Sequence, residues 1–182
     1  MSDQFVEQAK ASMGALERLF KGLPGIAGYV DKELRRDADK QLRELIATQL
    51  NEQKQHLVVL QKQLLSRGGL RGLAEMEQLI QKVQTLTDRI RTASYGYAGL
   101  FDAVKIGEAQ LMALHQFDTN LATEVAKISE GVARLQTAVT NKEALQPVIQ
   151  EVSGAVVAMD TLFHRRRKAI VDPDLLPGTT TS

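Results

Sequence analysis

The feature that most constrains this chain is a long helical repeat without helix breakers. From Asp31 to Arg67 the sequence contains neither glycine nor proline, and its seam residues return every three or four positions. Such spacing places side chains along one face of an α-helix. At about 1.5 Å per residue, this helix is predicted to be roughly 50 Å long. The seam is Leu34, Ala38, Leu42, Leu45, Gln49, Gln53, Leu57, Leu60 and Leu64.

A second helix is expected to pack back along the first. Gly68 and Gly69 interrupt the pattern, and an apolar stripe resumes over residues 70–94. Short connections between helices usually join antiparallel neighbours. Residues 29–95 are therefore predicted to form a long coiled-coil-like hairpin.

The second half of the chain repeats this arrangement. A regular heptad pattern predicts a helix over 107–139, and another apolar stripe continues to residue 171. Thr140 and Asn141 are candidate N-caps for that last helix. Pro147 would either begin it or kink it, because proline lacks a backbone donor.

Composition favours a single all-α domain. Hydrophobic residues make up 43% and charged residues 25% of the 182 residues, and only four prolines occur. These values are typical of a folded globular chain. We expect an elongated antiparallel bundle of about five helices over 1–172. Its parts are an amphipathic first helix (1–23), the hairpin (29–95), an aromatic corner (96–106), a second helical pair (107–171) and a flexible tail (173–182).

The middle of the chain concentrates aromatic residues. Tyr95, Tyr97 and Phe101 lie close to Gly96 and Gly99, which interrupt the helical spacing. Glycine permits positive φ angles, so this stretch is predicted to be a corner between helices. Large rings need packing partners. They would organise the corner, or form an exposed interaction hot spot if they remain partly uncovered.

Charge and cysteine content exclude several classes of function. The net charge is +1, so no global field would attract nucleic acid, and nucleic acid is not an expected partner. The chain has no cysteine, which excludes disulfides and thiolate metal sites. No apolar run approaches the ~20 residues needed to span a bilayer. We expect a cytoplasmic protein, with a position at the inner face of the membrane as an alternative.

No catalytic motif is present, and neither a cofactor nor a metal is expected. The three histidines, His56, His115 and His164, lie on three different predicted helices. His115 with Asp118 is the nearest approach to a metal-ligand pair. Phosphate-binding glycine loops, nucleophile elbows and zinc-protease helix motifs are all missing. The sequence therefore favours a protein that is not an enzyme.

Asp118 occupies a heptad position where an apolar residue would be expected. A buried carboxylate is costly unless it is paired, and Arg89, Arg91 or Arg134 are the candidate partners. A paired Asp118 would fix the register of the helices. Alternatively, Phe117 takes the core position and Asp118 lies at the rim.

Two segments are rich in charge. His164 to Lys168, with Arg165, Arg166 and Arg167 at its centre, either stabilises a helix C-terminus or binds an anion. Residues 32–40 alternate in sign, and Asp39 with Arg43 forms a favourable i, i+4 pair. We interpret this second segment as a solvated helix face.

The amphipathic first helix gives the main alternative function. Phe5, Leu16 and Phe20 precede a glycine-rich hinge and would dock in the bundle, in a partner's groove or at a membrane surface. In layout, this helix and the hairpin resemble the phage-shock protein A family over the first half of the chain. That resemblance, which includes no motif residues, implies a peripheral membrane-associated stress protein with a weak membrane contact.

These observations favour a non-enzymatic scaffold or adaptor. It would act through helix-to-helix contacts with a protein partner or with itself, as a homodimer or larger oligomer. Membrane association through residues 1–23 and anion or nucleic-acid binding through residues 164–168 are the alternatives.

Overall fold

A computed structural model describes residues 32–66, 72–93, 108–141 and 144–171, with side chains for 39–66, 72–93, 115–141 and 144–166. In these ranges the chain forms helices and no β-strand, so the all-α prediction is confirmed. The predicted first helix, the aromatic corner and the tail lie outside the described residues. The helices are α1 (Lys32–Ser66), α2 (Leu73–Thr92), α3 (Glu108–Asn141) and α4 (Leu145–Val171).

Helix α1 spans nearly the whole segment that lacks glycine and proline. Its buried side is rotated slightly from the expected seam. Ile46, which is outside that seam, is fully buried, whereas the seam residue Leu45 is only partly buried. Gln49 and Gln53 are buried, as their seam positions predict. The apolar residues of this face are Leu42, Ile46, Ala47, Leu50, Leu57, Leu60 and Leu64.

Helix α2 begins after a glycine in a left-handed conformation. Gly72 has φ of 85°, which side chains with a Cβ rarely adopt, and its carbonyl accepts a hydrogen bond from Met76 N at 2.9 Å. Glu75 lies in the first turn, whereas Arg89 and Arg91 lie in the last. Both placements complement the helix macrodipole.

The boundary between α3 and α4 differs from the prediction. Thr140 and Asn141 belong to the last turn of α3, and the Thr140 hydroxyl donates to the Gln136 carbonyl at 2.9 Å. They are therefore not the N-cap of α4, which begins at Leu145. Pro147 lies in the first turn of α4, where a backbone N–H would have no partner within the helix.

Polar contacts between helices define how the four helices are arranged. Lys82 donates to Ser153 and Arg89 to Asp160, and both pairs are separated by 71 residues, so α2 and α4 run parallel. Helix α4 runs antiparallel to α3, because its early Glu151 meets Arg134 and its late Arg166 meets Asp118.

Helices α1 and α2 form the other antiparallel pair. Lys54 Nζ donates to Gln84 Oε1 at 2.6 Å, and the two residues are at similar distances from the short connection between the helices. Gln136 reaches Gln63, which places α3 alongside α1. The two pairs therefore pack side by side, and at one end of the bundle α1 and α3 end and α2 and α4 begin. At the other end, α1 and α3 begin and α2 and α4 end.

One glycine sets the close approach of α3 to α4. A Cβ built at Gly131 would lie 2.5 Å from Val152 Cγ2, well inside van der Waals contact. Val152 is β-branched, so its side chain has few alternative rotamers in a helix. Gly131 therefore permits the two backbones to pack at this level.

Replacing Gly131 with alanine is expected to destabilise the fold by about 1 to 3 kcal/mol, because the added methyl group overlaps Val152. The matched control is Gly154→Ala on α4, where nothing lies within 4 Å of the added Cβ. That change should stabilise the protein by about 0.5 to 1 kcal/mol through helix propensity. Urea unfolding of dilute protein measures the change in unfolding free energy for each variant. Changes of the same sign for Gly131→Ala and Gly154→Ala would contradict the close contact of Gly131 with Val152.

Candidate functional site

Several residues singled out from the sequence lie outside the described part of the chain. They are Phe5, Leu16, Phe20, Tyr95, Tyr97 and Phe101, and their roles stay predictions. Arg167 lies within α4, but its side chain is also outside the description. The structure therefore bears on Asp118, Arg165 and Arg166.

Asp118 is at the centre of a buried cluster of charges. It is 0% exposed, and its Oδ1 accepts a hydrogen bond from Arg166 Nε at 2.5 Å. Arg166 Nη1 also donates to Asp39 Oδ1 at 2.7 Å, and Asp39 Oδ2 accepts from Arg43 Nε at 2.8 Å. We call Asp39, Arg43, Asp118 and Arg166 the buried charge cluster.

The buried charge cluster connects three helices. Asp39 and Arg43 come from α1, Asp118 from α3 and Arg166 from α4. Two carboxylates face two guanidinium groups, so the formal charges balance. Burial of ions costs several kcal/mol each unless good geometry and additional hydrogen bonds compensate. The fork of donors on Arg166 supplies that geometry to both carboxylates.

The identity of the partner of Asp118 corrects one expectation. Arg89 and Arg134 were candidates, but they form ion pairs with Asp160 and Glu151 on α4, and Arg91 is exposed. Phe117 does not replace Asp118 in the core, because consecutive residues 117 and 118 are both buried.

The interpretation of the basic segment at the end of α4 also needs correction. Arg166 is 2% exposed, whereas its neighbour Arg165 is exposed. The guanidinium of Arg166 is already engaged by two carboxylates and does not face an external anion. The hypothesis of an anion site over residues 164–168 therefore loses its central residue.

The interpretation of residues 32–40 as a solvated face is wrong at its end. The expected pair of Asp39 with Arg43 is formed, but both side chains are buried. Their positions explain this, because Asp39 and Arg43 flank the core residue Leu42 on the same side of α1. A charge pair at seam spacing was the sequence signal for the cluster.

The histidines do not assemble a metal site in the described part of the chain. No group of three His, Asp or Glu residues there is close enough to hold an ion. Asp118, which was considered together with His115, directs Oδ1 to Arg166 instead. Carboxylate oxygens bound in this way by arginine are poor candidates for metal ligands.

Two open grooves run along either side of α4. The groove against α3 has a volume of about 350 Å³ and includes Gly131, Gly154 and Ala158 in its lining. The groove against α2 has a volume of about 380 Å³ and includes Leu86 and Val157. Both are surface features between helices, and ion pairs cross both of them.

Comparisons with known proteins add no assignment. Neither protein-family models, nor curated proteins, nor solved structures match the chain. Within the described ranges, no helix combines the length and apolar character needed to cross a membrane.

Replacing Arg166 with alanine should destabilise the protein by about 3 to 5 kcal/mol, because Asp39 and Asp118 would lose their shared buried partner. The matched control is Arg165→Ala, one residue away and exposed, with an expected change within about 0.5 kcal/mol. Urea unfolding of dilute protein at low salt and at about 1 M salt measures the difference in unfolding free energy between the two variants. This difference should persist at high salt because buried ion pairs are weakly screened. Similar losses for the two variants would contradict a structural role for Arg166.

Proposed function

We propose that this protein is a non-enzymatic structural module, a scaffold or adaptor that associates with copies of itself or with a protein partner through its helix surfaces. In this proposal, residues 1–23 add a further helix to an elongated bundle of about five. Helices α1 and α2 serve as its coiled-coil-like hairpin. The partner contacts are made by apolar positions on the outside of the helices.

The buried charge cluster is the observation that carries the proposal. Its charged groups face one another inside the bundle and not a groove, so their chemistry is used to hold α1, α3 and α4 in register. Buried polar contacts of this kind specify one arrangement of helices where apolar contacts alone would permit several. A fixed arrangement of long helices is what a scaffold requires.

Exposed apolar side chains on the bundle support the same proposal. Val59 and Leu65 on α1 and Val157 on α4 each leave half or more of their surface exposed. Single exposed apolar residues are common on soluble proteins and carry no argument alone. Val157, however, is part of a larger uncharged surface on α4, which gives a helix partner an area to cover.

Sedimentation equilibrium over a wide concentration range tests the proposal. The mass should rise from that of the 20.1 kDa monomer toward a multiple of it as concentration increases. Vesicle flotation of the same full-length protein is the control for the membrane alternative. A chain that stays monomeric at every concentration and floats with anionic vesicles would contradict the proposal and favour the alternative.

A further inference from the structure

We propose that the outer face of α4 is a homodimer interface, in which a second copy of the chain packs its own α4 in the antiparallel direction. This inference rests on the proposed function and names its partner. The outer face consists of Pro147, Gln150, Glu151, Gly154, Val157, Ala158, Thr161, His164 and Arg165, all of which are exposed.

The centre of this face has the spacing of a helix-packing site. Gly154, Val157, Ala158 and Thr161 follow one another at i, i+3, i+4 and i+7, which is the set that surrounds a hole between side chains in knobs-into-holes packing. None of the four carries a charge. Gly154 and Ala158 are small, so a second helix can approach closely and place a valine in the hole.

The charges nearest to this centre are directed sideways. Glu151 on α4 pairs with Arg134 on α3, and Asp160 pairs with Arg89 on α2. These two ion pairs cross the two grooves beside α4. The central ridge of Val157 and Ala158 is therefore uncharged and is flanked by a groove on each side, which suits the ridges-into-grooves packing of another helix.

The charges at the ends of the face favour a second copy of the chain in the antiparallel direction. With a two-fold axis between Val157 and Ala158, Gly154 lies opposite Thr161 of the second copy. In the same register Glu151 lies opposite His164, and Gln150 lies opposite Arg165. Glu151 of one copy and Arg165 of the other thus come close at both ends of the interface. The carboxylate of Glu151 is already paired with Arg134, but it has the capacity to accept a further hydrogen bond from Arg165.

A parallel arrangement of the two α4 helices is disfavoured by the same residues. It would place Glu151 beside Glu151 and Arg165 beside Arg165, and like charges across an interface are repulsive. The antiparallel arrangement replaces both repulsions by attractions between opposite charges. It also gives an isologous interface, the type found in most homodimers.

The exposed valine on α1 provides a matched comparison. Val59 is 50% exposed and Val157 is 53% exposed, so the two residues have the same side chain and nearly the same solvent contact. Val59 lies near exposed Gln55 and Lys62 on α1 and lacks small neighbours such as Gly154 and Ala158. It should therefore not bind a second helix.

Val157→Lys in the full chain is expected to weaken dimerisation by about tenfold or more, because a lysine would be buried at the two-fold axis without a partner. Val59→Lys should leave the dimer unchanged. Sedimentation equilibrium measures the dimerisation of both variants, and circular dichroism of samples dilute enough to be monomeric should show the same helicity and thermal midpoint for the two variants. Self-association that Val157→Lys leaves intact would overturn the α4 interface and keep the proposed function. A wild-type chain that is monomeric throughout would overturn the α4 interface, and it would overturn the proposed function as well if the same chain floats with anionic vesicles.

Disulfide cross-linking then tests the direction of packing, since the chain has no native cysteine. A mixture of Gly154→Cys and Thr161→Cys chains should form a covalent heterodimer on mild oxidation, because these positions face each other across the axis. Thr161→Cys alone and Val59→Cys alone should remain uncross-linked. Efficient cross-linking of Thr161→Cys with itself would show a parallel interface and overturn the antiparallel one.

Discussion

The pairing of Arg166 with two buried aspartates is the interaction on which the described fold depends most. Apolar seams on long helices repeat every few residues, so two helices that slide past each other by one turn can still bury leucines against leucines. The buried charges oppose this sliding, because a displaced Arg166 would take its shared counter-charge away from the buried carboxylates of Asp39 and Asp118. The cluster thus fixes α1, α3 and α4 along their common axis.

The arrangement of the helices places related parts of the chain at the same end of the bundle. Two antiparallel pairs pack side by side, so α1 and α3 end at the same end of the bundle at which α2 and α4 begin, and the other ends of all four helices lie together at the opposite end. The buried charge cluster is close to the second of these ends, where α1 and α3 begin and α4 finishes. The three long segments outside the description, 1–31, 94–107 and 172–182, join the bundle there.

The helices themselves were largely predictable from local patterns. Helix α1 follows from the segment without glycine or proline, and the apolar stripes of α2, α3 and α4 mark their buried sides. The ends were less predictable, as Thr140 and Asn141 show: both residues favour N-caps, yet helix α3 continues through them. Their hydroxyl and amide groups suit a last turn as well as a first one.

Local sequence patterns could not predict which residues pair with one another in the buried charge cluster. Arg166 lies 48 residues from Asp118 and 127 residues from Asp39, and no periodicity within one helix encodes contacts at such separations. Arg166 is also surrounded by other basic residues, which makes the segment resemble a solvated patch. The anomalous carboxylate at Asp118 was visible in the heptad, but the choice among the twelve arginines of the sequence required the packing of three helices. The close contact of Gly131 with Val152 was hidden for the same reason.

The position of Arg166 has a mechanical consequence. A tensile force transmitted along the chain through 1–31 and 172–182 reaches the bundle at the start of α1 and the end of α4. Asp39 and Arg166, which lie near those two points, form an ion pair with each other across the interior. Among the contacts of the described residues, the one that joins α1 and α4 near both of these points is therefore a short charged contact, and the apolar core lies behind it.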